Sequence, residues 1–162
     1  MVVRMTGPPD QSSPCLRHGC DACCHVTRMS LTLADVCRLD RAGHRDFCDL
    51  GDDGALRLRN VEGRCTFLVG GRCVAYADRP DGCVLYPLIW FTGDGEEGEA
   101  GLHEFCSYRD EFRFSQGDRE WLERSIAAED AEVAARLGGS VRPTGDAAVS
   151  PARDERPTQH DD

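Results

Sequence analysis

Apolar residues along this chain fall in short runs broken by Gly, Asp and Arg, a pattern of brief strands and turns rather than long buried elements. The segment MSLTLADVCRLDRAG predicts a short helix, with Leu33, Val36 and Leu39 as its buried stripe. Thr32 and Asp35 have capping-box spacing, and Gly43 suits the helix end. After the turn Gly51 to Gly54, ALRLR alternates like a half-buried strand. CTFLV and RCVAYA are β-type runs separated by Gly70-Gly71, a strong hairpin signal. DRPDGC then turns the chain, and YPLIWF and LHEF read as two more short strands joined by the acidic loop TGDGEEGEAG. From about Asp118 to Leu137 a longer helix is expected. Leu122, Ile126, Val133 and Leu137 recur at helical spacing beside Trp121, and Gly138-Gly139 closes it. Together these predict a small, loop-rich α+β domain with short antiparallel strands, a short N-terminal helix and a longer C-terminal one.

Both ends lack such a pattern. Residues 1–13 read as a disordered arm and 139–162 as a disordered tail rich in Pro, Asp, Thr and Arg, leaving 14–138 as one domain. No internal repeat is evident. A chain of 162 residues has room for a modest core only. The start, MVVRMTGPPDQ, has no apolar signal region, and nowhere do 18 apolar residues run together. A cytoplasmic protein without a membrane span is therefore expected.

The formal net charge of −10 is uneven. Cys15 to Pro87 carries ten acids and ten arginines, whereas Gly93 to Leu137 carries thirteen acids and five arginines. An acidic surface repels phosphate backbones, which argues against nucleic acid and anionic membranes as partners. The chain has no lysine, so Schiff-base chemistry is absent.

Ten cysteines change the picture most. In PCLRHGCDACC, Cys15, Cys20, Cys23 and Cys24 fall within ten residues. Packing does not ask for this, because a buried Cys behaves as a small hydrophobe. Crowded thiolates repel one another unless a cation or a disulfide takes up their charge. In a reducing compartment that density points to metal ligands rather than a disulfide framework. Cys65 and Cys73 flank the expected hairpin turn and Cys83 lies in the turn after it, a half-site for zinc or an iron–sulfur cluster.

The succession CDACC, SLTLADVCRL, CTFLVGGRCVAY and DRPDGCVLYP resembles the YkgJ-type cysteine-cluster family, to which zinc or iron chelation is ascribed. The likeness runs over roughly residues 15–106. It departs from the family pattern in the four residues between Cys15 and Cys20 and in Val84, where Arg is common. Carried over by position, the resemblance implies metal ligation by Cys15, Cys20, Cys23, Cys24, Cys65, Cys73 and Cys83, with Cys106 matching a later cysteine. Eight thiols make two four-thiolate sites, or one cluster plus spare thiols.

Soft thiolates suit zinc and iron alike. Zinc sites usually pair two C-x-x-C knuckles, and here Cys20 to Cys23 is the one such pair, so an iron–sulfur cluster is favoured with zinc as the alternative. His18, His25 and His103 are read as surface residues before ligands, Cys37 as a small core residue, and Cys48 as a free loop thiol. Asp35 is read as a first-turn helix residue, Trp90 and Phe91 as core, and Arg79 as a donor to loop carbonyls or cluster sulfurs. The function expected is that of a small metal-binding protein whose metal is largely structural, with a redox or metal-carrier role. The alternatives are an accessory domain or subunit of a methyl-transfer or radical enzyme, which the resemblance suggests, and a protein-interaction module. No Gly-rich cofactor loop or nucleophile motif supports catalysis by the chain alone.

Overall fold

A computed structural model describes residues 13–92 and 98–138. The arm (but for Ser13), residues 93–97 of the acidic loop and the tail lie outside the described residues. The chain begins with α1 (Pro14–His18), a single turn ended by Gly19 in the left-handed conformation at φ 59°. A 3-10 turn (Ala22–Cys24) follows, then β1 (Ser30–Leu31) and α2 (Leu33–Arg41). The capping box forms as expected: Thr32 accepts from the Asp35 N–H while the Asp35 carboxylate accepts from the Thr32 N–H. Leu39 is fully buried and Val36 packs on the same core, but Leu33 is 50% exposed. Leu33 lies in the first turn, where its backbone N–H is taken by the Glu132 carboxylate.

β2 (Cys48–Leu50) and β3 (Leu56–Leu58) join β1 in a three-stranded antiparallel sheet, order β1-β3-β2, with Ser30 opposite Arg57 and Cys48 opposite Leu58. Next come two miniature hairpins in succession, β4 (Asn60–Val61) with β5 (Arg64–Cys65), and β6 (Leu68–Val69) with β7 (Arg72–Cys73). Each turns through two residues at positive φ: Glu62 at 50° and Gly63 at 76°, then Gly70 at 58° and Gly71 at 74°. Two positive φ angles in a two-residue loop match the twist of antiparallel strands. The Gly70-Gly71 hairpin was expected. Its strands are shorter than the apolar runs, and Cys65 belongs to the hairpin before it.

DRPDGC is not a simple turn. Pro80 leads into α3 (Asp81–Leu85), so Cys83 stands on a helix. Gly82 leaves room there for Met29, since a Cβ would sit 2.3 Å from the Met29 sulfur and push that side chain aside. β8 (Leu88–Phe91) pairs with β9 (Glu99–Leu102), three residues earlier than the expected LHEF strand. A second 3-10 turn (Arg109–Glu111) precedes α4 (Gln116–Arg136), which is capped by Ser115 and Asp118.

Two apolar cores result. Leu31, Leu39, Phe47, Leu58, Cys65, Phe67 and Ala75 form one beneath α2, the sheet and the hairpins. Leu85, Leu88 and Leu122 form the other, with Trp90, Trp121 and Ile126 against it. The stripe on α4 is therefore satisfied only in its first half, and Leu137 is exposed. Phe91 is exposed as well, since it falls on the outer face of β8. Asp35 ties the halves together: its buried carboxylate accepts from Arg38 and from the Asp81 N–H at 3.0 Å, while Asp81 accepts from the Trp121 indole at 2.8 Å.

Candidate metal centre

Cys65 and Cys73 are presented by one device used twice. Gly63-Arg64-Cys65 and Gly71-Arg72-Cys73 repeat eight residues apart, each Cys in the same register of its hairpin, opposite Asn60 and Leu68 respectively. The next N–H of each unit also repeats its bond, Thr66 to the Arg59 carbonyl at 2.9 Å and Val74 to the Phe67 carbonyl at 2.8 Å. Two residues beyond each cysteine a backbone N–H points at its sulfur, from Phe67 and from Ala75. Tyr108 does the same for Cys106. Such donors stabilise thiolates. Burial outweighs them and pushes all three thiols up. The eight-residue repeat was visible in the sequence, but Glu62-Gly63 lacks the obvious turn signature of Gly70-Gly71.

The N-terminal thiols come from the first two turns of chain. Gly19 reverses the path so that the Cys20 N–H bonds the Cys15 carbonyl at 2.9 Å, which absorbs the long spacing between these two cysteines. Arg17 and His18 both pair with Glu111, at 2.8 and 2.9 Å, and His18 stacks on Tyr108 at 4.0 Å. These contacts draw α1 to the segment carrying Cys106. The isolated bridge between His25 and Arg64, with the Val26 N–H on the Gly63 carbonyl at 2.7 Å, fastens the Cys23-Cys24 turn to the first hairpin.

Cys15, Cys20, Cys23 and Cys106 line one cavity. Cys24, Cys65, Cys73 and Cys83 do not; Cys65 is part of the first core, 6% exposed, and the other three pack against it. The electrostatic neighbours divide in nearly the same way. Burial raises Cys15, helped by Cys23, Cys20 and Cys106. Burial also raises Cys83, helped by Cys23, Cys65 and Cys73. Cys23 is felt by thiols of both groups, by Cys15 and Cys106 and by Cys24, Cys65, Cys73 and Cys83. The hydrogen bond between the Cys23 and Cys24 sulfurs pulls Cys23 down to about 7 and drives Cys24 up. Arg79, stacked 3.8 Å over the Tyr76 ring and bonded to the Tyr76 carbonyl, favours the thiolates of Cys23, Cys73 and Cys83.

All ten cysteines stand as free thiols. Among the described residues no three His, Cys, Asp or Glu side chains already converge as ligands of one ion. The thiols are neighbours at Coulombic range, and a cysteine has a single side-chain torsion by which to close on a metal. The donor set, soft sulfur with backbone N–H groups behind it, fits zinc or iron.

The remaining candidates fall elsewhere. Cys37 is exposed on α2, because Val36 and Leu39 take the inward face, so it is not the core residue expected. Cys48 is half-buried in β2 beside Arg59 and Asp49 rather than in a loop. His25 is exposed near Asp21, and the His103 Nδ1 is bonded to the Tyr86 hydroxyl at 2.9 Å. Asp35 caps α2 as read from its position, and it also crosslinks to Arg38 and the Asp81 N–H.

A family model, CxxCxxCC, described as "Putative zinc- or iron-chelating domain", matches residues 14–111. The chain belongs to this family. The matched stretch contains all eight thiols of the two groups and stops before α4. No curated protein and no solved structure matches the chain. Among the described residues, no helix is long and apolar enough to cross a membrane.

Proposed function

We propose that the chain is a metal-binding protein that holds its metal through two groups of four cysteine thiolates, the core group serving as a structural crosslink. The observation that carries this reading is the division of the thiols: Cys15, Cys20, Cys23 and Cys106 face the cavity, whereas Cys24, Cys65, Cys73 and Cys83 are set in or against the first core. Four thiolates are the complement of a tetrahedral zinc or of an iron–sulfur cluster. A core this small, built on two-residue strands, gains much of its stability from such a crosslink.

An iron–sulfur cluster is the favoured occupant. Beyond the Cys20–Cys24 run its ligands come singly at wide spacing, and consecutive Cys23 and Cys24 link the two groups along the chain. Cluster carriage or electron transfer to a protein partner is the role that follows, in a compartment reducing enough to keep the thiols free. Anaerobic purification followed by a visible spectrum and elemental analysis tests this. A brown protein absorbing near ~400 nm, with iron and acid-labile sulfide, supports a cluster. A colourless protein with about two zinc ions per chain moves the assignment to zinc. A chain that retains neither metal overturns the reading.

A further inference from the structure

The cavity lined by the first thiol group has a volume of about 660 Å³, in the range of small-molecule sites. Leu88, Trp90, Leu122 and Ile126 give it an apolar floor drawn from the second core. Val26 and Phe105, 72% and 76% exposed, stand in its wall beside the thiols. Val26 is held at φ 47°, a conformation that a β-branched residue adopts only under constraint. Tyr86 and His103, joined at 2.9 Å, also line the cavity. Whichever of the two carries the shared proton, the pair has one N–H or O–H donor and one lone pair left to offer. Asp35 and Asp81 at its edge are paired with Arg38, which leaves Glu129 and the thiols as the acidic groups around the space, against Arg28 and His25.

We propose that this cavity binds a small organic molecule with an apolar body and an uncharged carbonyl or hydroxyl head, the head on Tyr86–His103 beside the first thiol group and the body on Trp90, Leu122 and Ile126. The acidic wall disfavours anionic heads, and the floor supplies the apolar contact that such a site needs. Leu122 and Ile126 belong to α4, outside the family-matched stretch.

The inference goes beyond metal binding and rests on the cavity alone. Metal analysis of the same samples separates its failure from that of the metal reading. The probe is prodan, an uncharged naphthyl ketone, dialysed to equilibrium against the metal-loaded full chain, with anilinonaphthalene sulfonate as an anion of similar size. Saturable binding of one prodan per chain is expected, with weaker binding of the anion. Ile126→Trp crowds the apolar floor and weakens binding at least tenfold, and Tyr86→Phe weakens it about five- to tenfold through one lost hydrogen bond, both at unchanged metal content. The two substitutions lie on different elements, so a variant that fails to fold leaves the other to decide. No saturable binding, or parental affinity in the folded variants, overturns the site. Equal or tighter binding of the anion overturns the uncharged head.

Discussion

The two thiol groups use the same donor atom in opposite surroundings. Cys24, Cys65, Cys73 and Cys83 are packed with Leu31, Phe67 and Ala75, presented by the Ala22–Cys24 turn, the paired hairpins and α3. Cys15, Cys20, Cys23 and Cys106 face a cavity; Cys15 and Cys20 belong to or follow α1, which exposed ion pairs tie to Glu111, and Cys23 shares its turn with Cys24. A thiolate walled by core residues suits a fixed crosslink. One beside open space suits exchange of ligands, electrons or substrate. What surrounds a donor set, rather than the donors themselves, separates a structural centre from a reactive one.

Breaking the core group gives the largest expected effect. Cys65→Ser or Cys83→Ser removes a ligand of a centre on which a small core depends, so the cooperative thermal transition read by circular dichroism is lost. A variant that still melts cooperatively near the parental temperature contradicts the structural assignment. Next in size is Asp35→Ala. It leaves Arg38 and the Asp81 N–H without their buried partner, frees the start of the helix that carries Cys83, and is expected to cost about 3 kcal/mol in urea titrations.

Cys106→Ser sharpens the contrast from the other side. It is expected to lose the cavity group's metal while the melting temperature drops far less than in the core variants, since the contacts to Glu111 remain. Cys37→Ser, at an exposed position outside both groups, leaves metal content and stability unchanged.

The smallest effect lies far from either group. The hydrogen-bonded Arg57 guanidinium holds Asp53 at about 2, below the usual 3.8. A carboxylate lowered on folding stabilises above its unfolded value, and that contribution fades as pH falls through about 2. The Asp53 side chain is 58% exposed and therefore screened. Asp53→Asn should cost less than about 1 kcal/mol at pH 7 and progressively less as pH falls toward and below about 2, read as the difference in denaturant midpoint from the parent.

Local signals carried through well from sequence to structure. The Thr32–Asp35 capping box, the Gly70-Gly71 hairpin and the C-terminal helix all rest on neighbouring residues. Signals that depend on distant chain did not. Leu33 has the spacing of a buried residue but is half exposed, its backbone N–H on the Glu132 carboxylate. Cys83 reads as a turn residue until Gly82 allows α3 to approach Met29. The eight thiols are legible as a set, but not their division. That depends on Glu111 pulling α1 toward Cys106 and on the two hairpins lying against the core, both of them long-range packing. The first hairpin had a local signal, the repeated Gly-Arg-Cys triplet, which an eight-residue self-comparison would have found.

Metal content of the single variants Cys15→Ser and Cys83→Ser, measured by elemental analysis beside the parent after identical anaerobic loading, tests the division most directly. Two separable groups predict that Cys15→Ser stays folded and keeps about half of the parental metal, whereas Cys83→Ser, which loses the core crosslink, keeps less than that. Loss of all metal in Cys15→Ser, or full retention in both variants, would contradict it.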